Sequence, residues 1–498
     1  MTGNLKRLRP YEQPVETSQP LLIGGSDAAA KGFFGFAAFW LLTATGIATL
    51  FILQLAVASF EFVLALPFGL TIEITPDTVS AGFRHAFLWG WLANAALGAV
   101  FFLTPRMTGR PLRRVKTGVL GMATWNVGFA AGLTLLYLPA YADIGLVTAF
   151  PLPVNIVLLA GLVMVSTSFW SSVTGGDDSD QPFVGLAWFG VAMLTLIGLA
   201  AEATVVGVLN LEAPTDALAE AVWLRLFVLL FGLGVPIGAL HYLVPRLTGR
   251  PLASGVLAWS ALAGWAVLGT IAGFGAAVYP SVPYALTSAG NAATIMLLVP
   301  TMAIVANLVM SISGRWTLVL SPGPMALALA SLVFLGGSVV LAGIGSLRSV
   351  QEALAYTAWP AGLAAFTLAG AATAGLLAVA EHAWPRMLRR SGNTGVLAYV
   401  VTWSALGGAA LAGTALMAAG LFQLGLTGDD VVGEEAAATL FPLYLAAWAG
   451  MGLVGLAAVA HGLSAYLLAA HGRPVQTTAP GSSEASGAAA PSPAPAGH

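Results

Sequence analysis

The sequence predicts an all-α integral membrane protein. It predicts twelve transmembrane helices in three pseudo-symmetric four-helix arcs, with the N-terminus cytoplasmic. Three observations carry this expectation. Only 8% of the 498 residues are charged and 58% are hydrophobic, whereas a soluble domain carries roughly 25% charged residues. Twelve apolar runs are long enough to cross a bilayer, which takes about 20 residues. One phrase, FLTPRMTGRPL at 102–112, returns as YLVPRLTGRPL at 242–252.

Taken in order, the apolar runs lie at 33–58, 82–104, 118–138, 150–172, 183–208, 221–244, 254–278, 287–312, 322–346, 358–381, 395–422 and 439–470. The first lies behind a polar stretch with Lys6, Arg7, Arg9 and Lys31. It is long enough to span, so it reads as a first helix and not as a cleaved signal. The last is longer than a span needs and is expected to tilt or to project beyond the bilayer.

Basic residues test the count, because cytoplasmic loops collect Lys and Arg. With the N-terminus inside, only Arg84, Arg225 and Arg348 of the 19 Lys and Arg residues fall outside. The acidic GDDVVGEE at 428–435 falls outside, although DDSD at 177–180 falls inside. Residues 1–30 read as a cytoplasmic segment and 31–472 as the membrane domain. The Pro-, Ala-, Ser- and Gly-rich tail, 473–498, cannot build a core and reads as disordered. The location is a cell membrane, the first partner is the lipid bilayer, and a net charge of −2 suggests no nucleic-acid partner.

Pro105-Arg106 maps onto Pro245-Arg246 by a shift of 140, and a second shift lands on Pro385-Arg386 in HAWPRMLRR. Trp125 maps likewise onto Trp265. The phrase caps the second helix of a four-helix unit three times, which gives repeats of about 31–172, 183–312 and 322–470. Its proline is expected to help stop the helix, and its arginine to anchor the end among headgroups.

There is no cysteine. Thiolate-ligated iron–sulfur clusters, attached c-type haem, disulfides and thiol catalysis are therefore excluded.

This repeat, with the Arg-His at the start of FRHAFLWGWLANAALGAVFFLTPR (83–106), resembles subunit I of the haem–copper oxidase superfamily. The nearest branch is that of the nitric oxide reductases and C-type oxidases, and the resemblance covers roughly 30–470. It implies a cytochrome c oxidase or nitric oxide reductase subunit I-like protein of a respiratory electron-transfer system, with other respiratory-complex subunits as partners. It also implies six histidines. One on helix 2 holds a low-spin haem b, and one on helix 6 with a pair on helix 7 holds copper. A His-x-His on helix 10 serves the two haems.

Here only the first carries over. His85 lies 20 residues before Pro105 and is the candidate haem b axial ligand. The repeat puts Arg225 at the equivalent place on helix 6 and Ala365 on helix 10, and helix 7 has no histidine. Copper needs about three imidazoles, and a guanidinium repels it. A low-spin haem needs a second strong axial ligand, for which methionine can stand in; Met417 and Met451 lie on helices 11 and 12. The expectation is a protein without the haem–copper binuclear centre, binding at most one haem b and no copper.

Arg84 and Arg225 are candidate partners for haem propionates or, for Arg225, an ion pair replacing the metal. Glu202 is the candidate counter-ion, since a charge at membrane depth needs pairing. His241 and His382 read as packing near helix ends, with Glu381 beside His382 a candidate proton-accessible pair. His461 and the amides Asn94, Asn126, Asn155, Asn291 and Asn307 read as hydrogen-bonding groups between helices. His471 and His498 read as inert. Two alternatives stand beside this one: an active, divergent terminal oxidase or nitric oxide reductase subunit, and a cofactor-free transporter or scaffold.

Overall fold

A computed structural model describes residues 25, 27–56, 62–65, 71–138, 150–175, 183–209, 213–276, 283–391, 395–428 and 434–474. Twelve helices are long and apolar enough to cross a membrane. They are α1 (Ala28–Leu50), α2 (Pro76–Thr108), α3 (Val115–Leu136), α4 (Leu152–Val173), α5 (Val184–Leu209), α6 (Thr215–Thr248), α7 (Gly255–Gly275), α8 (Tyr284–Ile312), α9 (Pro324–Gly345), α10 (Trp359–Leu388), α11 (Gly395–Leu426) and α12 (Ala438–His471). The expected count and helical class hold. A short hairpin, β1 (Phe62–Ala65) against β2 (Thr71–Ile74), lies between α1 and α2. Of the expected disordered tail, 473–498, Arg473–Pro474 pairs as a short strand with Arg390–Ser391, and the rest, like residues 1–24, lies outside the described residues.

Several helices begin earlier than their apolar runs. The run at 82 belongs to a helix that starts at Pro76. There Thr75 closes a capping box with Thr78, and proline occupies the first turn, where its missing N–H costs nothing.

The proline of the repeated phrase does not stop the helix. Pro105 and Pro245 lie inside α2 and α6, which run on to Thr108 and Thr248. The stop is the next glycine. Gly109 and Gly249 take left-handed φ of 69° and 67° and return their N–H to Pro105 and Pro245 oxygens, an ending that glycine permits most readily. In the third copy Arg389 holds the same left-handed place, at φ 51°.

The repeat extends to a feature invisible in composition. Three helices loosen into a π-helix over 6–8 residues: Ala86–Leu92 in α2, Phe227–Gly232 in α6 and Ala365–Ala372 in α10. Each closes on a bond five residues back, from the N–H of Ala93, Leu233 and Thr373 to the oxygens of Leu88, Val228 and Leu368. Those positions are again 140 apart, yet the local chemistry differs. Asn94 donates its side-chain amide to the Trp89 and Gly90 oxygens. Pro236 brings no N–H to its turn. Thr373 donates its hydroxyl to the Leu368 oxygen.

These three helices touch one another at the centre. Their apolar windows are 100%, 89% and 67% buried, against 33–56% for the rest. In lipid there is little hydrophobic drive between helices, so contact depends on small residues that let backbones approach. A Cβ on Gly450 of α12 would lie 2.5 Å from the Ala412 nitrogen of α11, and one on Gly408 would lie 2.6 Å from the Gly450 oxygen.

Candidate functional site

Sequence reasoning placed its site at the start of the second helices, and the structure shows what surrounds each member. His85 is wholly buried. Its Nδ1 lies 2.9 Å from the Ala81 oxygen one turn back, which fixes the ring. The ring meets Phe150, at the start of α4, edge-on at 4.8 Å. Trp89, one turn further along the same side of α2, packs on Trp125 of α3 and on Trp223 and Phe227 of α6. The side of α2 that meets α10 carries instead Trp91, whose indole donates to Thr373 at 2.9 Å. His85 thus faces α4, and a direct hydrogen bond links α2 to α10.

Arg225 turns toward α7 and α8. Its Nη1 donates to the Ala272 oxygen of α7 at 3.1 Å and to Thr294 Oγ1 of α8 at 3.4 Å. The pairing with Glu202 is not formed, and Arg225 makes no ion pair with any described residue. Neutral oxygens that already converge on the guanidinium take the place of the expected carboxylate. Arg84, by contrast, is exposed. Ala365 opens the π segment of α10, and it offers no donor atom.

Sequence reasoning named Asn291 as an amide that bonds between helices, but missed Gln351 and the nearness of Asn291 to Arg225. Asn291 of α8 donates to Gln351 at 2.8 Å, and Gln351 donates to the Gly275 oxygen at 2.9 Å. The available signal was Asn291 and Thr294, three apart on one face of an apolar helix.

His241 and His382 are accounted for by packing. His241 bonds the Ile237 oxygen at 2.8 Å and stacks on Trp188. His382 is edge-on to Phe102 of α2. Glu381 does not pair with His382. Its carboxylate lies 2.6 Å from Nδ1 of His461, joining α10 to α12. Residues 381 and 382 leave their helix in different directions, and only the first faces α12.

The amides join helices as expected. Trp40 donates to Asn126 and Asn126 to Asn94, tying α1, α3 and α2 together. Asn307 accepts from the Ser254 N–H and donates to its oxygen at the start of α7. Asn155 departs from the rule and bonds the Phe150 oxygen beside its own helix. At the opposite end of the bundle Arg106 grips Asp27 with two bonds of 3.0 Å and lies over Phe102. Among the described residues no three His, Asp or Glu side chains gather as a metal site.

The sequence profile of cytochrome c and quinol oxidase polypeptide I matches residues 28–453, nearly the whole membrane part. The chain belongs to this family. Its members bind haems and copper. The fold agrees: a solved haem–copper terminal oxidase, described as a dimer, superposes with a TM-score of 0.73 at 14% identity, over 91% of this chain and 86% of that one. No curated protein sequence matches.

Proposed function

We propose that this chain is an oxidase subunit I-like membrane protein of a respiratory electron-transfer system that has no haem–copper binuclear centre of its own and does not itself reduce oxygen or nitric oxide. One observation carries the reading: the place on α6 that repeats His85 holds Arg225, whose cation already takes up the nearby oxygens of Ala272 and Thr294. A guanidinium there excludes copper electrostatically.

The donor set does not fit a bis-ligated haem b either. His85 faces Phe150, and the matching position on α10 is Ala365. No reaction step is therefore assigned to either group. The chain keeps the scaffold and offers it as a partner subunit to other respiratory proteins in the cell membrane. The 140-residue recurrence of prolines, left-handed caps and π segments supports three arcs of four helices, and the arginine-rich loops support a cytoplasmic N-terminus.

The test is the absorption spectrum of the purified protein, oxidised and reduced, with metal analysis. The reading expects no copper and no oxygen consumption by this chain alone. Two haems with copper would establish the alternative of a divergent active oxidase.

A further inference from the structure

The repeated phrase gathers charge as well as ending helices. Every residue of α2 from Ala93 to Pro105 is buried, and every residue of α6 from Gly234 to Pro245. Arg106 and Arg246 are thus the first side chains to open at that end of their helices, both half-buried. In α10 all of Thr373–Leu388 is buried except Glu381, Pro385 and Arg386, and Arg386 is exposed. The C-terminal halves of α2, α6 and α10 pack on one another in every pairing, so the three cations converge on one end of the bundle's centre. Tyr242 and His382, one turn further in, each stand in the field of all three guanidinium groups. Arg386 itself stands in the field of the other two.

Arg106 and Arg386 are held alike and answered differently. Each turns Nη1 back to the oxygen four residues earlier, Phe102 in one case and His382 in the other. Arg106 also takes both oxygens of Asp27, the residue just before α1. That carboxylate faces a second cation, the buried Lys31, which has Arg389 near it as well. Among the described residues no carboxylate pairs with Arg386. Glu381, five residues before it, is bonded to His461. The residues just before α9, Ser321-Pro322-Gly323, hold no acid that could play the part of Asp27. Like charges gathered in one place repel, and an anion relieves them. A lipid headgroup is poorly placed to supply it, because these three spans are the most buried of the twelve and the other helices stand between them and the bilayer.

We propose that Arg386, with Arg106 and Arg246 beside it, is the docking point for an acidic segment of a partner subunit. A carboxylate of that segment takes the guanidinium fork of Arg386 as Asp27 takes that of Arg106, with the two parallel bonds that suit a planar acid. The proposal deepens the partner-subunit reading and rests on it. Metal content and binding at this end are measured separately, so that a metal-bearing chain and a chain without an acidic partner give different results.

The experiment titrates a fluorescent hexaglutamate peptide onto the full-length protein in neutral detergent, followed by anisotropy, with hexaglutamine as the blank. The wild type should bind the first and not the second, and more weakly as salt screens the charges. Arg386→Gln should weaken binding about tenfold. Arg386→Lys keeps the charge without the fork and should fall between. Arg315→Gln removes an exposed cation from the turn between α8 and α9 and should leave binding unchanged. A photoreactive hexaglutamate should cross-link the wild type at the adjoining ends of α2, α6 and α10.

Equal losses from Arg386→Gln and Arg315→Gln would reduce the effect to general attraction by basic loops and overturn the proposal. Absence of hexaglutamate binding to the wild type overturns it too, as do cross-links confined to other loops, whether or not the variants fold. Binding of inorganic tripolyphosphate without binding of hexaglutamate overturns it in favour of a phosphate ligand.

Discussion

Glu381 of α10 and His461 of α12 share a hydrogen bond of 2.6 Å between the carboxylate and Nδ1. The imidazole is 1% exposed and the carboxylate 11%, so each is the other's main defence against an apolar surrounding. Removing one partner strands the other, at about 1–3 kcal/mol. Glu381→Ala and His461→Ala should each lower the unfolding midpoint, and the double variant should fall by clearly less than their sum. Strict additivity, in a cycle measured by thermal unfolding, would show that the contact contributes no coupling.

The three copies of the terminal turn provide an internal comparison. Gly109 and Gly249 hold the left-handed cap, and Arg389 holds it in the third copy. A side chain in that conformation costs roughly 1 kcal/mol relative to glycine. Arg389→Gly should therefore stabilise the protein modestly, less whatever contacts the arginine makes, while Gly249→Arg should destabilise it. A lower melting midpoint for Arg389→Gly would mean that the arginine's contacts outweigh its strain.

The α11–α12 contact is made by glycines whose missing Cβ atoms would lie 2.5–2.6 Å from backbone of the facing helix. Backbone cannot yield as a side chain can. Gly450→Val should force the helices apart and cost about 1–3 kcal/mol or more. Gly452→Val, on the same helix but with open space around it, is the matched control. Similar losses from both, by thermal unfolding in detergent, would contradict the packing described.

Tyr137, just beyond α3, has its hydroxyl against Gly82, where a Cβ would come within 1.8 Å. Burial pushes its phenol up to about 12, because the phenolate is poorly solvated there. The folded state thus holds the proton more tightly than the unfolded chain, whose tyrosine titrates near 10. Its stabilising contribution is complete below pH 10 and disappears as pH rises toward 12. Tyr137→Phe should flatten that alkaline loss in a pH series of unfolding midpoints, and an unchanged slope would remove Tyr137 as its source.

The architecture was legible because a bilayer imposes length and polarity on every span. Twelve apolar runs, the basic loops and the 140-residue echo of Pro-Arg each left a mark in the sequence. Helix ends were less legible, since caps such as Thr75 lie outside the apolar run. The π segments were hidden because three different local devices, around Asn94, Pro236 and Thr373, produce one backbone shape. At the site, spacing offered Arg225 and Ala365 as the counterparts of His85. It could not say which way a side chain leaves its helix, so Glu202 was expected beside Arg225 and His382 beside Glu381. Those partnerships are decided by tertiary contacts, with Thr294 in one case and His461 in the other.

The central claim is that this oxidase scaffold works without the metals its family carries, and metal content is its most direct test. Iron and copper should be quantified per chain in protein purified from a host supplied with haem and copper, alongside the reduced-minus-oxidised spectrum. The account predicts copper at background and no pair of haem signals, with Arg225→His alone failing to restore copper because α7 has no histidine. Stoichiometric copper together with a high-spin haem in the unaltered protein would contradict it.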